Sequence, residues 1–273
     1  MYPTLFEIFG FGVKTYGTMI AIGIGFALLY ISRQTKREGL DVEKSLDITL
    51  YLVLSGVIGA RLLYVLLNFG YYKNNPSAIF KIWEGGLVFY GGFLAALAVG
   101  YFMLTKNKMP VWKFLDIFAT ALPLGHAFGR IGCFFAGCCY GKPTDVPWAI
   151  TFTNPESLAY PVLGEHIHPT QLYESASNLM IFVILNLTLK RKKFDGQNAL
   201  LYIALYGTAR FIIEFFRGDE RGFIFDSVIS TSQGVALIIV PIVLFILIFK
   251  LKVASIIETV PKNKTTNKNQ KKK

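Results

Sequence analysis

The sequence predicts an all-α integral membrane protein of about seven transmembrane helices, with its N-terminus outside and its C-terminus in the cytoplasm. Three observations carry that expectation. The chain of 273 residues has a mean hydropathy of +0.47 and only 16% charged residues, against about 25% in a typical soluble domain. About seven apolar stretches are long enough to cross a hydrocarbon core ~30 Å thick. The basic residues gather in alternate connections between those stretches.

The stretches lie near 14–32, 46–68, 86–104, 112–135, 171–189, 198–216 and 231–250. Helices are the expected form, because lipid offers the backbone no hydrogen-bond partner. The N-terminus lacks the basic region of a secretory signal, so the first stretch is expected to be retained. Tyr16 opens that stretch, where an interfacial aromatic anchor is the ordinary account. Tyr71, Tyr72 and Trp83 read in the same way. Arg61 lies in the second stretch, within Gly56-Val-Ile-Gly59-Ala-Arg61, where small residues let another helix approach. The third begins Glu84-Gly85-Gly86-Leu-Val-Phe-Tyr90-Gly91-Gly92, whose paired glycines fit a broken or closely packed helix at a site. The fourth has a vague end, continued by glycines and cysteines to about Gly141. His168-Pro-Thr-Gln-Leu-Tyr-Glu174 opens the fifth, with Pro169 placed as at a helix start and Glu174 able to cap it or orient an arginine.

Residues 1–253 read as one transmembrane domain and 254–273 as a basic, disordered cytoplasmic tail. No internal repeat is evident, which disfavours a repeat-built transporter. The net charge of +11 does not point to nucleic acid. The excess lies in short runs (Arg33, Lys36 and Arg37; Lys106 and Lys108; Lys190 to Lys193) and in the lysine tail. That pattern fits membrane topology and anionic lipid headgroups.

Charged residues inside the apolar stretches are the candidates for chemistry, since each costs roughly 2.5–3.5 kcal/mol to insert. Arg130 stands in Gly129-Arg130-Ile-Gly132, where the glycines open space for a ligand beside a planar fork that matches phosphate oxygens. An ion pair with Asp116 or Glu214 is the bland account. Arg210, Glu214 and Arg217 share one helix face with Tyr206 by their spacing. Arg210 and Glu214 can neutralise each other, and Arg217 near the boundary can be solvated. The balance leaves a cationic excess, which suits an anionic ligand such as a phospholipid headgroup better than a proton relay. Arg61 either joins that ligand or pairs with a carbonyl near a helix end. Cys133, Cys138 and Cys139 lack the paired short spacing of a zinc site. A Cys133–Cys138 disulfide and simple packing of small residues both remain open. With only His126, His166 and His168 available, no Ser-His-Asp or Cys-His arrangement is evident.

Taken in order, Tyr16-Gly17, Gly59-Ala-Arg61, Gly85 to Gly92, Asp116, Gly129-Arg130-Ile-Gly132, His168 to Glu174 and Tyr206 to Arg217 resemble the bacterial prolipoprotein diacylglyceryl transferases over nearly the whole chain. The resemblance implies a multi-pass inner-membrane enzyme, N-terminus periplasmic, with its site toward the periplasm. It implies transfer of diacylglyceryl from phosphatidylglycerol to the lipobox cysteine of a preprolipoprotein signal peptide, releasing glycerol 1-phosphate. It implies Tyr16, Tyr90, Arg210 and Glu214 as catalytic residues and Arg61, Gly129, Arg130, Gly132 and Gly141 as the phosphatidylglycerol site. No metal or organic cofactor is implied. Tyr90 stands where many members carry histidine, Cys133 where many carry asparagine and Cys138 where many carry glutamate. Those departures also fit a paralogue with a different acceptor. The cationic pocket by itself also fits a non-enzymatic phospholipid or anion carrier.

The basic connections predict the topology directly. Reporter fusions after Arg37, Lys108 and Lys193 are expected to read cytoplasmic, and one after Asn74 periplasmic. A periplasmic reading after Lys193 would reverse the fifth stretch and break the assignment.

Overall fold

The computed structural model describes residues 2–8, 11–82, 85–219, 223–224 and 229–259. A hairpin of β1 (Thr4–Ile8) and β2 (Phe11–Lys14) runs straight into α1 (Thr15–Arg37). Then come α2 (Val42–Leu67), the short α3 (Phe69–Asn74), α4 (Phe89–Lys106) and α5 (Val111–Ala136). A two-residue ladder of β3 (Ile150–Thr151) and β4 (His166–Ile167) precedes α6 (Thr170–Leu189) and α7 (Gln197–Glu214). A second, β5 (Phe223–Ile224) with β6 (Ile229–Ser230), precedes α8 (Thr231–Thr259).

Among the described residues six helices, α1, α2, α4, α5, α6 and α8, are long and apolar enough to cross a membrane. The stretch expected over 198–216 is also helical, as the 18 residues of α7. Its apolar character is diluted by Gln197, Asn198, Arg210 and Glu214, for which the packed structure has uses. The helix expected over 231–250 continues to Thr259, past the expected domain end at 253. Residues 260–273, the rest of the expected tail, lie outside the described residues, as do Trp83 and Glu84.

The sequence terminates the helices by short polar connections. The Asp41 carboxylate accepts the Lys44 N–H at 3.1 Å and caps α2. That bond holds the Asp41 carboxyl below its ordinary pKa range. Gly137, at φ +80°, closes α5 in the left-handed conformation that glycine adopts without steric cost.

Helix α5 lies at the centre, against α1, α6 and α7, while α2 packs on α4 and α7 on α8. Small residues set the closest crossings. A Cβ added to Gly23 of α1 would lie 2.7 Å from the Gly125 carbonyl of α5, and one on Gly59 of α2 would lie 2.5 Å from the Gly91 carbonyl of α4. Interior apolar clusters are modest: Ile31 with Ile117 and Ala121, and Ile48 with Leu104, Met109 and Phe114. The outer faces carry Leu66, Leu94, Ile238 and Phe245, all exposed. A surface so rich in large apolar side chains matches contact with lipid rather than water.

One end of the bundle is tied by a buried acid. Asp116, near the start of α5, accepts the backbone N–H groups of Gly196 at 2.8 Å, Asn198 at 2.9 Å and Ala199 at 3.1 Å. It thereby satisfies the free donors of the α7 N-terminus and places its charge at the favourable end of the helix dipole. Lys192 completes the group, 3.3 Å from Asp116, 3.1 Å from Asp195 and 3.6 Å from Glu38. The basic connections after α1 and after α6 therefore meet at one end. Asp116 does not pair with Arg130, which stands 14 residues along α5, or ~21 Å at the helical rise.

Candidate active site

The opposite end of α5 carries the charged cluster. Glu174 is its hub. Its carboxylate is almost completely buried, at 2% exposure, and meets three arginines from different parts of the chain. Arg210 Nη1 and Arg217 Nη1 both donate to Oε1, at 2.7 and 2.6 Å. Arg130 Nε stands 2.7 Å from Oε2 and directs its N–H at His126 Nε2, 3.1 Å away. Such charge-assisted pairs are the strong ones, and in a buried setting each charge needs its partner.

The motif that opens α6 explains how Glu174 reaches this position. Thr170 Oγ1 donates to the Cys139 carbonyl and Gln171 Nε2 to the Cys138 carbonyl, both at 2.8 Å. Ser175 Oγ donates to the Ala127 carbonyl of α5 at 3.0 Å. The first turns of α6 are thus fastened to α5 and to the loop beyond it, and Glu174 points between them.

Arg210 is shared between two carboxylates, with Nη2 2.6 Å from Glu214. Arg217 lies past the end of α7, yet it is buried, not solvated as expected. Its guanidinium grips Asp219 with two bonds of 2.9 Å. Burial works against its charge, but the Asp219 bonds, with Cys139 and Glu174 nearby, outweigh that and raise its pKa. Arg130, Arg210 and Arg217 against Glu174, Glu214 and Asp219 sum to zero formal charge, so the expected cationic excess is absent from this group. Arg130 is the least neutralised member: no second carboxylate among the described residues pairs with it, and its side chain is 15% exposed against 2% for Arg217. The alternatives that paired Arg130 with Asp116 or Glu214 do not hold, because Glu174 takes that place.

The glycines divide in role. A Cβ on Gly129 would meet nothing within 4 Å, so space is open beside Arg130. A Cβ on Gly132 would lie 3.2 Å from Tyr16 and 3.1 Å from Met19, so Gly132 serves the approach of α1 to α5. This contact seats Tyr16, which is part-exposed, on the last turns of α5. Gly141 packs closely on His168: a Cβ there would lie 2.6 Å from that of His168, and its backbone bridges to Arg217. Gly141 thus supports the Arg217 segment through its backbone.

Two expected residues are not brought to the cluster. Arg61 donates to the carbonyls of Ala78 at 2.6 Å, Ile79 at 2.9 Å, Gly85 at 2.6 Å and Gly86 at 3.1 Å. Its guanidinium also lies over Tyr72, 5.4 Å from the ring centroid. Each nitrogen of its guanidinium donates to a carbonyl of the α2–α4 connection, which fits the carbonyl-pairing account. Tyr72 is buried by that contact, so it is no interfacial anchor; Tyr71 is exposed as expected. Tyr90 is exposed on the first turn of α4, edge-on to Phe89 at 5.8 Å. No hydrogen bond joins it to the cluster among the described residues. Two residues gain importance that residue type alone did not give them. Glu174, expected to cap its helix or orient an arginine, does the second for three arginines, and His126 was one histidine among three. His126 sits between Arg130 and Tyr206, 5.4 Å from the Tyr206 ring.

A family model described as prolipoprotein diacylglyceryl transferase matches residues 3–249. The chain belongs to that family. It is 35% identical over 246 residues to the phosphatidylglycerol–prolipoprotein diacylglyceryl transferase of Clostridium tetani, covering 90% of this chain and 96% of that protein. The protein of the same name from Finegoldia magna is 36% identical over 86% of this chain and 90% of its own length. That of Thermotoga maritima is 38% identical over 79% and 74%. The arginine cluster thus lies within the segment shared with relatives whose names pair a phospholipid with a protein acceptor.

The geometry makes Glu174 the test of the cluster. Glu174→Ala removes a carboxylate shared by three arginines, the one ion-pair partner Arg130 has among the described residues, and loss of one member of a buried pair costs about 3–5 kcal/mol. The variant is expected to fall in detergent melting temperature and to lose activity. Asp116→Asn, at the far end, is expected to weaken stability while retaining more activity per folded molecule. Equal loss of specific activity in both would deny the cluster a special place.

Proposed function

We propose that this chain is a membrane transferase that moves the diacylglyceryl group of phosphatidylglycerol to the thiol of a lipobox cysteine in a preprolipoprotein. The thiolate attacks the glycerol carbon of the lipid, a carbon–sulfur bond forms and the carbon–oxygen bond to phosphate breaks. The electron pair leaves with glycerol 1-phosphate, and the acceptor keeps a thioether. The family and the names of its relatives support donor, acceptor class and reaction type.

The observation that carries the site reading is Arg130. It is the arginine of the cluster with one shared carboxylate, some exposure and open space beside it at Gly129. A phosphate oxygen arriving there gains a planar fork that Glu174 only partly occupies. Arg210, held by Glu174 and Glu214, lies in the same network and adds preorganised positive charge toward the leaving phosphate. Glu214 positions Arg210, and Tyr16 lines the wall set by Gly132. The acceptor thiol must lose its proton, because thiolate is the nucleophile. His126 Nε2 accepts from Arg130 in this arrangement, so its lone pair is not free for that proton. Tyr90 and Arg61 act from outside the cluster, Arg61 by fixing the chain that leads to Tyr90. The cluster end faces the periplasm of the inner membrane, and the end tied by Asp116 and Lys192 faces the cytoplasm.

The test is transfer from phosphatidylglycerol to a lipobox peptide by the purified protein in detergent. Arg130→Ala is expected to reduce the rate on the order of 10²–10³, the usual cost of removing one preorganised stabiliser of developing charge. Arg130→Lys is expected to fail as well, because it keeps the charge without the fork. Near wild-type turnover by Arg130→Ala at normal membrane levels would remove Arg130 from the phosphate site. Wild-type protein that binds the lipid without transferring it to the peptide would redirect the reading to another acceptor.

A further inference from the structure

The three cysteines converge. Cys133 is on the last turn of α5, and Cys138 and Cys139 follow the turn at Gly137. Their sulfur atoms all lie within 4.8 Å of one another, and none of the three is in a disulfide. The spacing along the chain gave no sign of this, because it lacks two short-spaced pairs. The turn supplies what spacing hides. Gly137 reverses the chain, its N–H bonding back to the Cys133 carbonyl at 2.9 Å. Cys139 then takes φ +62°, a conformation rare outside glycine. Thr170 and Gln171 pin the carbonyls of Cys139 and Cys138 from α6, so the convergence is built into the packing.

We infer that Cys133, Cys138 and Cys139 form a three-thiolate site for one thiophilic cation of the Zn2+ class. A zinc–sulfur bond is ~2.3 Å, which sets sulfur–sulfur separations of roughly 3.7–4.0 Å around one ion. The observed ceiling of 4.8 Å is reached from there by small rotations of side chains. Thiolate sulfur selects soft or borderline cations over Mg2+ and Ca2+. Three thiolates and Zn2+ carry a net charge of −1, and Arg130 and Arg217 both lie within electrostatic reach of Cys139. Binding displaces one proton per thiol. The ion ties the end of α5 to the loop that runs on to Gly141, whose backbone pairs with Arg217. None of its ligands belongs to the charged cluster, so metal binding is read separately from transfer activity.

The full chain, purified in detergent, reduced with a phosphine and stripped of metal, is titrated with Cd2+ as the spectroscopic probe. The expected result is a sulfur-to-cadmium charge-transfer band that saturates at one ion per chain, with Zn2+ competing for the same site. Each single change, Cys133→Ser, Cys138→Ser or Cys139→Ser, is expected to weaken binding by more than about tenfold. Absence of the band from fully reduced protein overturns the site, as does an unchanged band in the triple variant. An intact mass two hydrogens lighter before reduction, combined with no band after it, assigns the cluster to a disulfide instead. Alkylation of wild-type membranes reads the same site without a variant. Zn2+ is expected to protect the three thiols, and unchanged labelling counts against it.

Discussion

One buried carboxylate organises the reactive end of this protein. Glu174 is held by α6, and the arginines it binds come from α5, from α7 and from the turn beyond α7. Without it, three guanidinium groups would face one another in a medium that screens poorly, and Arg130 would carry an unrecovered desolvation cost. With it, the helices are fixed in relative position by bonds whose directions are set. Glu214 and Asp219 take the outer sides of Arg210 and Arg217 and bring the group to formal neutrality. Arg130 is left with a share of one carboxylate, which makes it the member able to exchange a protein oxygen for a ligand oxygen.

The bundle keeps two polar centres apart along α5. Asp116 closes one end by satisfying the free N–H groups of α7, and Glu174 closes the other by binding the arginines. Helix α7 is anchored by both: its start by Asp116, its last turn by Glu174 through Arg210. This explains why α7 falls outside the helices apolar enough by composition to cross a membrane. Its polar residues have partners supplied by neighbouring helices, so the cost of placing them in an apolar layer is offset inside the protein.

Arg61 has a related task on a different part of the molecule. A guanidinium presents its donors in a rigid fork, and here the fork binds four carbonyls of an irregular connection. Irregular backbone at membrane depth is tolerated where protein groups satisfy it. Arg61 and Glu174 thus show the same logic with opposite charge: one buried ionic group collects polar partners from segments distant in sequence.

The sequence by itself determined the helical membrane class and the positions of the apolar helices. Length and hydropathy are local properties, and lipid permits few alternatives to a helix. It also placed Arg130, Arg210 and Glu214 on short, recognisable motifs that match the family. Beyond the Arg210–Glu214 pair, which the helical spacing predicts, which charge meets which was decided by tertiary structure. Arg130 and Glu174 lie on different helices, and neither spacing nor residue type states that α6 brings one against the other. The same reason separates Arg61 and Tyr90 from the cluster, sets the Gly141 backbone against Arg217, and gathers three cysteines whose spacing disguised their convergence. A pattern of residues fixes a helix face, but the partner of that face depends on crossings set by packing, here by the close approaches at Gly23 with Gly125 and Gly59 with Gly91.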